Sequence, residues 1–351
     1  MIAVLGVATL VAAGYLINQY RTSPDVEAVA GNASAAPEGS TAPAPALSGS
    51  IVPSASGPVS PSASAPSPSA SASASKKPEK PKRSGGHPNA DNTGVPAGVT
   101  LATYKGPCTI AKSGFVIDGK IVNCDALEIR TTDVKITNSR INGRLVTTER
   151  SNYSYTLTDS EVNAGVYQGA AVGSTNMTIL RSDIQGGQTA VVCSYNCTIR
   201  DSWLHGQELP EGSDWHLGGF LANDTGGDGT TKVVLDHNTI VCDSPSNSAG
   251  GGCSGNVNLF PDFGPVSDIT VTDNLLGANE DISYCVYGGS TSDKEHVGGV
   301  RDIVFTGNII QRGKNSKCGQ YGPVTSFDPS KPGNRWANNR WDDGKLVESA
   351  N

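Results

Sequence analysis

A chain of 351 residues with 42 glycines, 21 prolines and only 6% aromatic residues suits a turn-rich β protein better than a helical bundle. Its formal net charge of −7 argues against a general nucleic-acid binder, while local basic groups can still meet an acidic sugar polymer. Eight cysteines in such a chain point to an oxidising compartment.

The first element is apolar. Ile2 to Ile17 is almost uninterrupted, and Asn18-Gln19-Tyr20-Arg21 ends the run. At about 16 residues it is slightly short for a spanning helix. Residues 1–20 therefore read as a signal anchor or as a signal-peptide core, with a cleavage-like Ala28-Val29-Ala30 downstream. No Lys or Arg precedes the run, so the positive-inside rule does not set its orientation. Both readings export the chain to the cell surface or beyond, and the anchor reading makes the membrane a partner. Residues 21–93 form a linker rich in Ala, Pro and Ser that cannot bury a core and that proline keeps extended. Its basic end, Lys76 to Arg83, is a solvated spacer or a contact for anionic wall polymer.

Residues 94–351 carry one phrase written nine times. Around Ser139, apolar Val134, Ile136 and Ile141 sit at −5, −3 and +2. The frame recurs at Ser160, Ser182, Ser202, Asn238, Asn274 and Asn308, with weaker copies at Gly119 and Asn339. Apolar residues two apart make a strand with one buried face, and the change of phase at a small polar centre marks a tight turn. Successive centres lie 20, 21, 22, 20, 36, 36, 34 and 31 residues apart. A period near 21 leaves room for three short strands and three turns, and the Leu-x-x-Leu-x-Leu phrase of leucine-rich repeats is absent. The expectation is an all-β, right-handed parallel β-helix, a single-stranded solenoid of about nine coils, with its centres stacked in one column between the second and third strands.

The cysteines fit adjacent coils. Cys285 lies 11 residues after Asn274 and Cys318 lies 10 after Asn308, so the two should bond. Cys242 with Cys253 would pin the base of a long insertion, Cys108 with Cys124 would close the first coils, and Cys193 with Cys197 would span a corner. A metal reading of Cys193-x-x-x-Cys197 lacks a second Cys/His pair.

Three consecutive coils are lengthened, and insertions on neighbouring coils should stack into a wall. They contain Asp214-Trp215-His216, the Ser/Gly/Asn-rich run from Asp243 to Gly255, and Asp293 to His296. His216 oriented by Asp214 is the best candidate for a base, since an imidazole titrates near neutrality. His205 is a second candidate, and His237 reads as a turn residue because Asn138, Asp159, Asp201 and Asp273 hold its position elsewhere. Alternation turns Glu128, Arg130, Asn258 and Phe260 outward. Together with Tyr167, Trp215, Asp262 and Tyr284 or Tyr287, they would line a groove for an extended sugar chain. If a uronate is cleaved by elimination, Arg130 or a Ca²⁺ ion held by aspartates would neutralise its carboxylate.

Several phrases resemble secreted actinobacterial right-handed β-helix proteins of the pectate-lyase-like superfamily. They are Gly94-Val95-Pro96-Ala97-Gly98, Phe260-Pro261-Asp262-Phe263-Gly264-Pro265, Tyr284-Cys285-Val286-Tyr287-Gly288-Gly289, Lys317-Cys318-Gly319-Gln320-Tyr321 and Asn339-Arg340-Trp341-Asp342-Asp343. The resemblance implies a carbohydrate-active or carbohydrate-binding solenoid, in a superfamily of lyases, hydrolases, epimerases and binders. The chain departs from its catalytic members. His216-Leu217-Gly218-Gly219 stands where many have His-x-Asp-Gly, and neither a Gly-His-Gly with paired aspartates nor an Arg-x-Pro-x-x-Arg occurs. Two readings remain: a polysaccharide-binding protein that also cleaves its polymer as a lyase or hydrolase, and a non-catalytic wall, adhesion or structural module.

Overall fold

The computed structural model describes residues 86–148, 151–226 and 229–349. The apolar run, the cleavage-like tripeptide, the basic patch and nearly all of the linker lie outside the described residues. Among those described, no helix is long and apolar enough to cross a membrane.

The alternating phrase forms strands as its burial demands. In Val134–Thr137, Val134 and Ile136 are fully buried while Lys135 is exposed. Nine such strands, from Val116–Asp118 to Arg335–Ala337, stack in parallel as the second face of each coil. Their register aligns equivalent residues, so Ile136, Leu157, Ile179, Ile199, Leu235, Val271 and Phe305 form one buried row. The third face is made of short strands after the turn, such as Asp183–Gln185 and Trp203–His205. The first face holds His216–Ala222 and Gly252–Leu259, and extends to Tyr284–Gly288 and Gly322–Thr325. The first two coils run round the corner between third and first faces in single strands, Lys120–Ile129 and Arg140–Thr147. The fold is a parallel β-helix of nine coils wound on one apolar core.

The polar centres form the expected column, all of them buried. Each backbone N–H donates to the side-chain oxygen of the next centre: Ser139 to Ser160 Oγ at 3.1 Å, Ser202 to Asn238 Oδ1 at 3.0 Å, Asn274 to Asn308 Oδ1 at 2.9 Å. The serines donate to a carbonyl of their own coil, as Ser202 does to Arg200 at 2.8 Å. The longer asparagines reach back a coil, as Asn238 Nδ2 does to the Ile199 carbonyl at 2.9 Å. Preceding residues Asn138, Asp159, Asp201, His237 and Asp273 have φ between 48° and 55°, so His237 is a turn residue, as its position implies. One frame shifts. The first centre is Lys120, whose N–H bonds Ser139 Oγ at 3.0 Å, while Gly119 takes the left-handed position before it at φ 64°. Ile117 and Val122 are the buried residues there, one place later than the weak copy at Gly119 predicts.

All eight cysteines are paired, as Cys108–Cys124, Cys193–Cys197, Cys242–Cys253 and Cys285–Cys318, with Cα separations from 5.8 to 6.2 Å. These are the pairs that the spacing predicts, and they fit an oxidising compartment.

A strap precedes the first coil. Ala102–Thr103 pairs with Lys120 and Ile121, Gly94 N donates to the Arg181 carbonyl at 3.0 Å, and the His87 ring stacks on His237 with centroids 5.2 Å apart. Read backwards from Ala102, the chain thus climbs from the first coil to the level of the sixth. Residues 86–93, counted with the linker on composition, already lie against the solenoid.

Candidate functional site

The first face of the later coils is a trough between two sets of loops. On one side, the segment 206–215 is tied to the segment 241–251 by Asn247 Nδ2 donating to the Ser213 carbonyl at 2.8 Å. Cys242–Cys253 closes the base of the second loop. On the other side, Phe263 N donates to the Asn223 carbonyl at 3.0 Å, and His296 N to the Pro261 carbonyl at 3.3 Å. Loops of adjoining coils are therefore bonded to each other and stand as walls.

The floor is an outward row. Val192, Leu221, Asn258, Tyr287 and Thr325 align in register, with Val191, Phe220, Val257, Val286 and Val324 facing the core beside them. Around this row the rings form a continuous strip. Phe260 and Tyr287 have centroids 5.1 Å apart, Tyr287 and Tyr284 5.6 Å, and Tyr284 and Tyr321 5.7 Å. Tyr321 is 53% exposed and the other three are half-buried. Burial, chiefly, pushes the Tyr287 phenol up to about 12, so it stays a neutral O–H group near neutral pH. Aromatic rings flanked by hydroxyls offer both a stacking face and a hydrogen-bonding edge.

His216 opens the strand His216–Ala222 beside inward Leu217, and is half-buried. Burial lowers its imidazole below the ordinary histidine value, against the pull of the Asp214 carboxylate. The ring is therefore neutral at pH 7. Its carbonyl accepts Gln188 Nε2 at 3.0 Å, while its ring makes no hydrogen bond among the described residues. Asp214 is exposed and does not hydrogen-bond the imidazole. Trp215 is half-buried and packs against the apolar core.

Other expected site residues lie elsewhere or are already engaged. His205 is on the third face, stacked on Trp203 at 3.4 Å between centroids, with Nε2 2.8 Å from Asp183 Oδ1. Glu128 and Arg130 point outward on the first coil, but they hold each other at 2.8 Å. Asn258 faces outward yet is buried, a correction to its expected exposure. It lies flat across two glycines: a Cβ at Gly218 would stand 2.7 Å from Nδ2, and one at Gly255 2.5 Å from Oδ1. Nδ2 donates to the Gly255 carbonyl at 3.0 Å. The Asp262 side chain is also buried rather than open, with Lys294 Nζ 2.7 Å from its Oδ1. Burial still raises the Asp262 carboxyl above its usual range, and the pair pins one wall. Tyr167 is exposed on the early coils, with the Arg144 guanidinium 3.8 Å from its ring centroid. Tyr284 does belong to the aromatic strip.

Sequence spacing does not single out Tyr321. Its signal is visible only after alignment of the coils, which pairs Tyr284 with Gly322 and so brings Tyr321 beside the strip. Among the described residues no three His, Cys, Asp or Glu side chains gather as they would around a metal ion. Comparison with protein-family models, with curated proteins and with solved structures finds no match. A parallel β-helix stapled by four disulfides is compatible with an extracellular protein.

Proposed function

We propose that this chain is an exported β-helix protein that binds an extracellular polysaccharide along the first face of its later coils. The observation that carries the reading is the strip Phe260, Tyr287, Tyr284 and Tyr321 on the floor of a loop-walled trough. A parallel solenoid repeats its outward groups about every 4.8 Å. An extended glycan needs such repetition of stacking faces and hydrogen-bonding groups along its length. The phrases resembling pectate-lyase-like β-helices support the same substrate class. The N-terminal apolar segment exports the chain, as an anchor or a cleaved peptide, and the Ala/Pro/Ser linker carries the solenoid away from the membrane.

A cleaving role is the second reading, favoured by the half-buried, neutral His216 at the edge of the trough. A neutral imidazole can remove the proton α to a uronate carboxylate. Affinity electrophoresis against a panel of polysaccharides, with product analysis by ultraviolet absorbance, tests both readings. Tyr321→Ala should weaken retention severalfold or more, in keeping with the loss of one exposed ring contact. If the protein cleaves, His216→Ala should lower turnover about a hundredfold or more and change binding little. A wild-type chain that retains polymers but cleaves none leaves the binding module. One that retains none overturns the proposal.

A further inference from the structure

At the other end of the first face the coils are short, and an unpaired cation sits there beside an exposed ring. Arg144 lies in strand Arg140–Thr147, in register with Ala126 of the preceding coil. Among the described arginines from Arg130 to Arg312, it alone has no carboxylate within 4.0 Å. Its contact is the face of Tyr167 at 3.8 Å. Arg130, the arginine expected to neutralise a uronate, is by contrast already held by Glu128.

Arg144 and Tyr167 look onto an open cleft of about 660 Å³ whose lining includes Asp125, Asn142, Gly143 and Asn163. Its frame is fixed by the fold. Gly143 has φ 128°, and a Cβ there would collide with the Cys124 carbonyl, itself held by the bond to Cys108. The Tyr167 ring lies over Gly169, where a Cβ would come within 2.7 Å of it, and the Tyr167 carbonyl accepts Gln188 N at 2.8 Å. Asn123, Asn142 and Asn163 stand in register on three successive coils. Asn142 Nδ2 donates to Asn123 Oδ1 at 2.6 Å, and Asn163 Oδ1 accepts Gly165 N at 2.9 Å. Asn142 Oδ1 and Asn163 Nδ2 have no protein partner among the described residues.

We infer that this cleft is a subsite for a sugar unit carrying an oxyanion, a carboxylate or a phosphate. A guanidinium stacked on a ring keeps its planar N–H edge available for bidentate contact with such a group. Tyr167 is then a positioning residue, and the free amide atoms of Asn142 and Asn163 meet sugar hydroxyls. The inference rests on the polysaccharide reading and gives the polymer its charge.

The full-length chain is titrated with polygalacturonate, a glycosylated glycerol-phosphate polymer and uncharged dextran. Wild type should bind at least one acidic polymer more tightly than dextran, with affinity falling as salt rises. The acidic polymer bound identifies the oxyanion. Arg144→Gln should weaken that binding about tenfold or more and leave dextran unchanged, since it removes a charge-assisted pair of hydrogen bonds. Arg144→Lys, which keeps the charge and loses the fork, should recover only part of the affinity. Tyr167→Ala should fall between the two. All three are surface changes, and an unchanged melting temperature verifies their folding. If Arg144→Gln binds acidic polymer like wild type while Tyr321→Ala is impaired, this subsite is wrong and the trough stands. If wild type binds no polymer, both fall together.

Discussion

Asn274 is the most heavily bonded member of the polar column, and its removal puts the ladder to a quantitative test. Its Oδ1 accepts the Asn238 backbone N–H at 2.8 Å and Asn238 Nδ2 at 3.0 Å. Its Nδ2 donates to the Leu235 and Thr272 carbonyls, both at 3.0 Å. The residue is fully buried, so no water replaces these partners in an alanine variant. An orphaned buried N–H costs about 1–3 kcal/mol, and each lost amide bond about 1 kcal/mol more. Asn274→Ala should therefore destabilise the coil by roughly 3–5 kcal/mol. For a domain of this size each kcal/mol moves the melting point by about 2–4 °C, giving a drop of roughly 10 °C. Asn274→Ser makes the sharper comparison. A serine here can accept the preceding N–H, as Ser202 Oγ accepts that of Ser182 at 3.1 Å, and should lose only about 1–2 kcal/mol. Urea denaturation followed by circular dichroism gives the two energies, and hydrogen exchange at the Asn238 amide reads the broken rung directly. An alanine variant within about 1 kcal/mol of wild type, or a serine variant as damaged as alanine, would refute the ladder as a source of stability.

Two further outcomes follow from other contacts. His87 is half-buried in the strap against His237, with Asp201 bonded to His237 and Asp273 nearby, and burial followed by the His237 charge lowers its pKa. A depressed histidine stabilises the fold fully above its unfolded value of about 6.5, and that contribution fades as pH falls towards the folded value. The protection factors of amides in residues 86–101 should thus fall between pH 7 and pH 5, and His87→Phe should flatten the dependence; a strap equally protected at both pH values contradicts the assignment. Replacing Cys285 and Cys318 by serine opens a loop of 33 residues and should cost roughly 3–4 kcal/mol; mass mapping of the non-reduced chain that finds either thiol free removes the basis for this figure.

What the sequence discloses is what neighbouring residues decide among themselves. The strands are legible because alternation within four residues sets which side chain is buried, as in Val134–Thr137. The disulfides are legible because equal offsets from equivalent turns fall on adjacent coils. Even the occupation of Arg130 is readable in principle, since Glu128 sits only two residues before it. The first coil is misplaced by one residue because Lys120 stands where later coils have Ser or Asn, and its register is visible only in the bond to Ser139. Alternation correctly turns Asn258 outward but cannot tell that Gly218 and Gly255 let it lie flat, because Gly218 belongs to another coil. The Asp262–Lys294 pair and the climb of residues 86–101 along the solenoid likewise join segments distant in sequence. A site on a solenoid is assembled across coils, so its floor can be read along one strand while its occupancy is decided by the next. That is why, of these two arginines, Arg144 is the one without a carboxylate partner, and why its partner Tyr167 comes from a loop one coil further on.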